Sequence, residues 1–213
     1  MKNIVIIGVG GFGREIKMLI DQINEQKLCF SILGFYDDAA NLKDFYNGIP
    51  YLGSINDLNQ VVQETCVAIA LGDPQTKKKI KERLDNKKLS FPTLIHPTVL
   101  IGKDAVTIGD GSIICAGVII TCNIEIGNFV TLNLSCTVGH DTIIKNYASF
   151  MPSVNISGDV IIHESVYVGT GAKIINQLEI GQNTIVGAGA VVSKTLPENC
   201  TAVGIPAKPI KFH

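Results

Sequence analysis

Every sixth residue from Ile108 to Val192 is a large apolar one. Fourteen of these fifteen positions are Ile, Leu or Val, and the exception is Phe150. The fourth residue after each is restricted as well: Val118, Ile124, Val130, Cys136, Ala148, Val154, Val160, Val166, Ala172, Leu178 and Ala190. The residue directly after is often Gly (109, 127, 139, 169, 181, 187). A period of six suits neither a helix nor a hairpin meander, whose patterns repeat at 3.6 and 2. It suits a parallel β-helix of hexapeptides, in which one aliphatic per six points inward and stacks on its equivalents. Three hexads make a triangular coil, so equivalent residues of successive coils should stack about 4.8 Å apart. Small residues and Gly are expected at the corners. Ile95 and Ile101 start the pattern, with one extra residue before Ile108. Handedness does not follow from the repeat, and the usual crossover rule would favour a right-handed path.

Residues 1–90 have another texture. "NIVIIG" reads as a buried strand, followed by Gly8-Val9-Gly10-Gly11-Phe12-Gly13 and the amphipathic stretch "REIKMLIDQI". A second strand, "SILGFYDD", ends in Asp37 and Asp38; a third, "VAIALGD", precedes the Lys-rich helix "QTKKKIKERLDN". This order predicts a small parallel sheet with helices on it, over residues 1–90, ahead of the repeats in 91–213. Gly8, Gly10 and Gly13 satisfy G-x-G-x-x-G between a strand and a helix, where backbone N–H groups can receive phosphate. The plain alternative is that these glycines only permit a tight turn. Asp37 stands where an acid follows such a loop in dinucleotide folds. About 90 residues is half a Rossmann domain, so one nucleotide is expected rather than two.

A core this rich in Ile, Val, Leu and Ala goes with 6% aromatic residues and no Trp. The net charge of −1 offers no basic field for nucleic acid or an anionic membrane. Six cysteines show no C-x-x-C pair and no metal-ligand spacing, so no metal is expected. No apolar segment approaches the ~20 residues of a membrane span, and the N-terminus runs directly into a strand pattern. A cytoplasmic protein is expected.

"GVGGFGRE", "GFYDD", "IHPT", the hexads, "TVGHD" and the C-terminal "GAGAVVSKTLPENCTAVGIPAKPIK" together resemble one family. It is that of the left-handed β-helix acetyltransferases that modify bacterial surface sugars. Its members include N-acetyltransferases of nucleotide-linked 4-amino-sugars, of the bacillosamine and perosamine type, and sialic acid O-acetyltransferases. The resemblance covers essentially the whole chain. It implies an α/β half-Rossmann-like domain followed by a left-handed β-helix, and a homotrimer with acetyl-CoA between adjacent prisms. On this sequence it implies that Gly10, Gly11, Phe12, Gly13, Asp37 and Asp38 hold the nucleotide-sugar. His140 is then the general base, and Asp141 the acid beside it. Asn133 lies near the reacting groups, and the Gly158 amide faces the oxyanion. Acetyl-CoA is placed against Gly158, Thr170, Ala188 and Lys208. Two departures stand out: Phe12 and Ser149 occupy positions where some members carry a histidine.

The chemistry suits His140 and Asp141 if they meet. An amine that attacks a thioester must lose a proton, which imidazole can accept near neutrality. A neighbouring carboxylate can fix the tautomer and stabilise the imidazolium. Adjacent residues of an extended strand point to opposite faces, so the pair requires a corner between them. The plain alternative makes His140 a solvated corner residue. His96 is expected to be structural, His163 to lie on the surface or at an interface, and Cys136 to be buried packing. The Lys77–Lys79 run reads as a solvated helix face, from which Lys77 could reach a phosphate. Rival readings keep the fold but acetylate a hydroxyl, bind zinc as β-helix carbonic anhydrases do, or act as a non-catalytic scaffold.

Overall fold

The computed structural model describes the whole chain, Met1–His213. The N-terminal region is a sheet of six strands: β1 (Lys2–Ile7), β2 (Phe30–Tyr36), β3 (Phe45–Tyr46), β4 (Ile49–Gly53), β5 (Thr65–Ile69) and β6 (Leu89–Ser90), in the order β3-β4-β2-β1-β5-β6. Neighbours are parallel except in the β3–β4 hairpin. Strand β1 lies at the centre, and its run Ile4-Val5-Ile6-Ile7 is buried on both faces, as a parallel strand covered by helices must be. Helix α1 (Gly11–Gln26) buries Ile16, Leu19 and Ile20 at helical spacing. Helix α2 (Pro74–Arg83) starts on the Asp73 carboxylate, which accepts from Thr76 N at 2.7 Å, and carries Lys81 and Arg83 in its last turn.

From Leu94 onward the chain winds into a three-sided prism. Its first sheet gathers 94–95, 113–114, 131–132, 149–150, 167–168, 185–186 and 200–203; the second runs from 100–101 to 191–192; the third from 106–108 to 178–180. Coils stack in the eighteen-residue register the repeat demands, as in Leu132↔Phe150 and Val138↔Ile156. The first coil is one residue longer: Ile101 pairs with Ile120, but Ile108 with Ile126. The last is two shorter, with Val186 opposite Ala202. The inward aliphatics and the small residues four places on form one continuous buried core. No helix of the chain is long and apolar enough to cross a membrane.

The corners meet the expectation of small residues and Gly only in part. Fourteen positions spaced by six, from 111 to 189, have left-handed backbone, yet only four of them are Gly (111, 117, 171, 189). The other ten are Asn123, Phe129, Ser135, Asp141, Tyr147, Ser153, Asp159, Ser165, Gln177 and Asn183. Each such residue costs about 1–2 kcal/mol, tolerated because the stacked coils fix the turn; Asp141 N, for example, donates to Cys122 O at 3.2 Å. The glycines that follow the inward aliphatics serve another purpose. A Cβ on Gly139 would sit 2.6 Å from Gly158 N in the next coil, so close stacking of backbone, not a left-handed φ, excludes a side chain there.

The α/β region covers the outer face of the first sheet. Ile113, Thr131 and Ser149, which point outward there, are 2%, 1% and 0% exposed, whereas Leu100 and Ile119 on the second sheet are 64% and 41% exposed. Leu94, Ile113 and Cys115 join the core of α1. Phe91 meets Phe129 edge-on at 5.4 Å, and Phe129 stacks on Tyr147 at 5.3 Å. The expected solvated lysine face is found only in part: Lys79 is exposed, but its neighbours are engaged. Lys77 is buried, and its ammonium donates to Thr131 Oγ1 and Ser149 Oγ, both at 3.0 Å. Lys78 pairs with Glu164 at 2.7 Å. The sequence pattern is that of an exposed helix, but α2 is wedged between a sheet and a prism, and only the side that carries Gln75, Thr76, Lys79, Glu82 and Arg83 stays exposed. Burial pushes the Lys77 ammonium down to about 7.

Candidate active site

His140 and Asp141 occupy the corner between the second and third sheets, just after the strand Thr137–Val138. Asp141 has φ 56°. This turn brings two side chains together that an extended chain would set on opposite faces. His140 Nδ1 lies 2.7 Å from Asp141 Oδ2. An ionised carboxylate only accepts, so the hydrogen is assigned to Nδ1 and the Nε2 lone pair is left free. The other carboxylate oxygen, Oδ1, accepts from Asn123 Nδ2 at 3.0 Å. The hydrogen bond from His140 first, and that from Asn123 second, hold the Asp141 carboxyl below its usual range. Both side chains remain open to solvent, at 63% and 52%.

Gly158 stands one coil beyond His140 at the same corner. A Cβ there would overlap His140 Nε2, so the glycine is what lets the imidazole lie against this backbone. The Gly158 amide donates to no acceptor in the chain. Asn133 is placed elsewhere: it lies on the corner between the first and second sheets, is buried, and accepts from Leu134 N at 2.7 Å. Thr170 and Ala188 share that edge with Asn133. Within one chain, the candidate residues are therefore divided between the two edges that flank the second sheet. Lys208 belongs to the C-terminal strand Lys208–Phe212, which pairs antiparallel with Cys200–Val203, and is not joined to His140.

Two of the other histidines, His96 and His163, have side-chain partners. His96 is buried; Nδ1 accepts from Thr98 N at 3.1 Å, and Nε2 is 2.8 Å from Gln22 Oε1 on α1. It fastens the first helix to the start of the prism, and burial lowers its pKa. His163 faces Glu179 at 3.1 Å on the outside. Ser149 lies under the α/β region on Lys77, away from His140. Cys136 is buried, and burial pushes its thiol up to about 11.

A cavity of about 330 Å³ opens at the C-terminal ends of β1 and β2, where Gly8, Asp37 and Asp38 meet Lys79 and Arg83 of α2. Gly8 has φ +105°, and a Cβ on Gly13 would overlap the Gly8 carbonyl; these two glycines are required by the turn itself. Gly10 and Gly11 are not: nothing lies within 4 Å of a Cβ at either, so the space beside them is free for a ligand. Phe12 packs against the α1 core. Asp37 fastens the loop, accepting from Val9 N at 2.9 Å. Asp38 accepts from Ile55 N and pairs with Arg83, both at 2.8 Å. The sequence reading missed Lys79 and Arg83. Their spacing of four puts both on one helical face, which was the available signal.

The PglD N-terminal domain family matches residues 3–84, and the bacterial transferase hexapeptide family (six repeats) matches residues 159–194. Over 213 residues the chain is 32% identical to GDP-perosamine N-acetyltransferase of Escherichia coli O157:H7, covering 97% of this chain and 95% of that protein. PerB from Caulobacter crescentus, solved in complex with CoA and GDP-perosamine, superposes with a TM-score of 0.88 at 28% identity, over 99% of this chain and 98% of that one. The acetyltransferase domain of PglB from Neisseria gonorrhoeae FA1090, solved in complex with acetyl coenzyme A, gives 0.87 at 26% identity, over 98% and 99%. Domain order, repeat and full-length likeness agree: the chain belongs to the left-handed β-helix acetyltransferases that include the nucleotide-linked amino-sugar N-acetyltransferases.

Proposed function

We propose that this acetyltransferase moves the acetyl group of acetyl-CoA to the amino group of a nucleotide-linked amino-sugar, of the 4-amino-4,6-dideoxy type, in surface glycan biosynthesis. The observation that carries the reading is the His140–Asp141 pair, whose free Nε2 lies against Gly158, an amide without an acceptor in the chain. The amine attacks the thioester carbonyl, and its nitrogen loses a proton to His140 Nε2 as the C–N bond forms. Asp141 holds the Nδ1 hydrogen throughout and stabilises the imidazolium. The Gly158 N–H receives the developing oxyanion, a donor typically worth about 3 kcal/mol in such barriers. When the C–S bond breaks, the imidazolium returns the proton to the sulfur of CoA. No covalent enzyme intermediate is required.

The nucleotide is assigned to the 330 Å³ cavity of the α/β region, where Gly8 opens the glycine loop and Lys79 and Arg83 would face its phosphates. The division of Asn133, Thr170 and Ala188 from His140 supports a site shared between adjacent subunits. So does the exposed apolar start of the second sheet, Leu100 and Ile119; a homotrimer would bring one prism's edge against the next.

The test is CoA release from acetyl-CoA with GDP-, UDP- and dTDP-linked 4-amino-sugars and with free sialic acid, wild type against His140→Ala. Turnover of one nucleotide amino-sugar, lowered about 10³-fold in the variant, is the expected result. Turnover of sialic acid alone would move the assignment to O-acetylation. A fully active variant would remove His140 as the base.

A further inference from the structure

The hydrogen bond to Asp141 from the preceding coil assigns a task to a residue outside the reacting pair. Half the Asp141 side-chain surface is exposed, at 52%. A short carboxylate held only through one imidazole hydrogen would be free to rotate toward water. Its second oxygen is instead held by Asn123 Nδ2 at 3.0 Å. Asn123 stands eighteen residues earlier at the same corner position, with φ 54° against 56° for Asp141. That backbone narrows the choice of side chain. Gly, Asn and Asp are the types that enter the left-handed region most readily. Gly has no donor and an ionised Asp would repel the carboxylate, whereas Asn supplies an N–H without neutralising the charge. We infer that Asn123 is a positioning residue, which fixes the Asp141 carboxylate and through it the His140 tautomer; this rests on the reading of His140 as the base.

Asn ladders between coils also occur where no chemistry is proposed. Asn183 Nδ2 donates to Asn199 Oδ1 at 2.9 Å, on the edge between the third and first sheets. Asn183→Gly, which also removes the acceptor of Gln75 Nε2 at 2.6 Å, therefore serves as the control for structural corner bonding. Asn123→Gly keeps the left-handed backbone and deletes the amide. In protein labelled with ¹⁵N at its four histidines, His140 is expected as the Nδ1–H tautomer. His96 provides the opposite reference, because its Nδ1 accepts from Thr98 N. In Asn123→Gly the His140 signals should move toward the Nε2–H form, and kcat should fall about tenfold, the equivalent of one lost hydrogen bond, with KM for acetyl-CoA unchanged. In an Asp141→Asn background the same substitution should cost nothing further, since the two act as a unit. Asn183→Gly should leave tautomer and kcat alone. An unchanged tautomer and rate in Asn123→Gly would overturn the inference, as would an equal loss in the Asp141→Asn background. An active His140→Ala would instead remove the base reading, while the tautomer would still report on Asn123.

Discussion

The two halves of this chain solve the problem of a core in opposite ways, and the difference decides how each holds a ligand. The prism repeats one solution: an inward apolar residue every six, stacked on its positional equivalent one coil away. The α/β region has no repeat, and its core draws on β1, β2, β5 and α1 at once. Glycine divides the same way. Gly8 is needed for its φ of +105°, Gly139 because the next coil approaches too closely for a Cβ. The prism exposes side chains as columns along its edges, so a site there is assembled from residues a fixed interval apart: Asn123, Asp141 and, at the neighbouring position, His140 and Gly158. The α/β region exposes loop ends, so its cavity is assembled from residues that no interval connects: Gly8, Asp38 and Arg83.

That contrast is broken most directly by removing one large side chain from each core. Phe150 and Phe35 are both fully buried, and either substitution to Ala should cost about 3–5 kcal/mol. What should differ is the spread. Hydrogen exchange in Phe150→Ala is expected to rise in the coils next to the cavity and little further along, because prism coils contact only their neighbours. In Phe35→Ala it should rise throughout the six-stranded sheet. Equal spread in both would show that the prism is no more modular than the sheet. The ligand side of the comparison is tested by Lys79→Ala with Arg83→Ala. KM for the nucleotide-sugar should rise roughly 10²-fold with kcat little changed, as when uniform binding is removed. A fall in kcat at unchanged KM would place the nucleotide outside this cavity.

How much was legible beforehand follows the same division. The period of six gave the prism, its core positions and even the extra residue before Ile108, because each inward side chain depends on its own sequence neighbours. The pairing of His140 with Asp141 could be anticipated only as far as a corner fell between them. Asn123 was missed, although it lies one coil from Asp141, because Asn at a corner reads as turn chemistry. The nucleotide cavity was half legible. Its glycines and acids stand in a known strand-to-helix setting, but Lys79 and Arg83 were hidden in a run of lysines whose members face three different environments. Lys77 was misread for the same reason. Nothing in "QTKKKIKERLDN" tells which lysine the prism will cover; that is decided by Thr131 and Ser149, which lie 54 and 72 residues away.

Lys77 is also where the two halves can be made to report on each other. Its ammonium is buried between α2 and the first sheet, hydrogen-bonded to two hydroxyls, and Asp73 is the acid whose charge acts on it. Burial lowers it from 10.5 to about 7, against the smaller opposing pull of Asp73. Between those values the unfolded chain keeps a proton that the folded one gives up. Stability should therefore rise with pH across this window, and the contribution is lost as pH falls toward 7. Urea denaturation at pH 7.5 and pH 9 should show wild type gaining about 1–2 kcal/mol more than Lys77→Met over that interval. The absolute stability of the variant is a poorer guide. Methionine fills much the same volume but leaves Thr131 and Ser149 without a donor, at about 1–3 kcal/mol for a buried group left unsatisfied. The slope is free of that offset, since neither hydroxyl titrates in the window. Parallel slopes in wild type and variant would mean that the ammonium keeps its proton at the interface, and that the prism and the α/β region are joined by a charged contact instead of a neutral one.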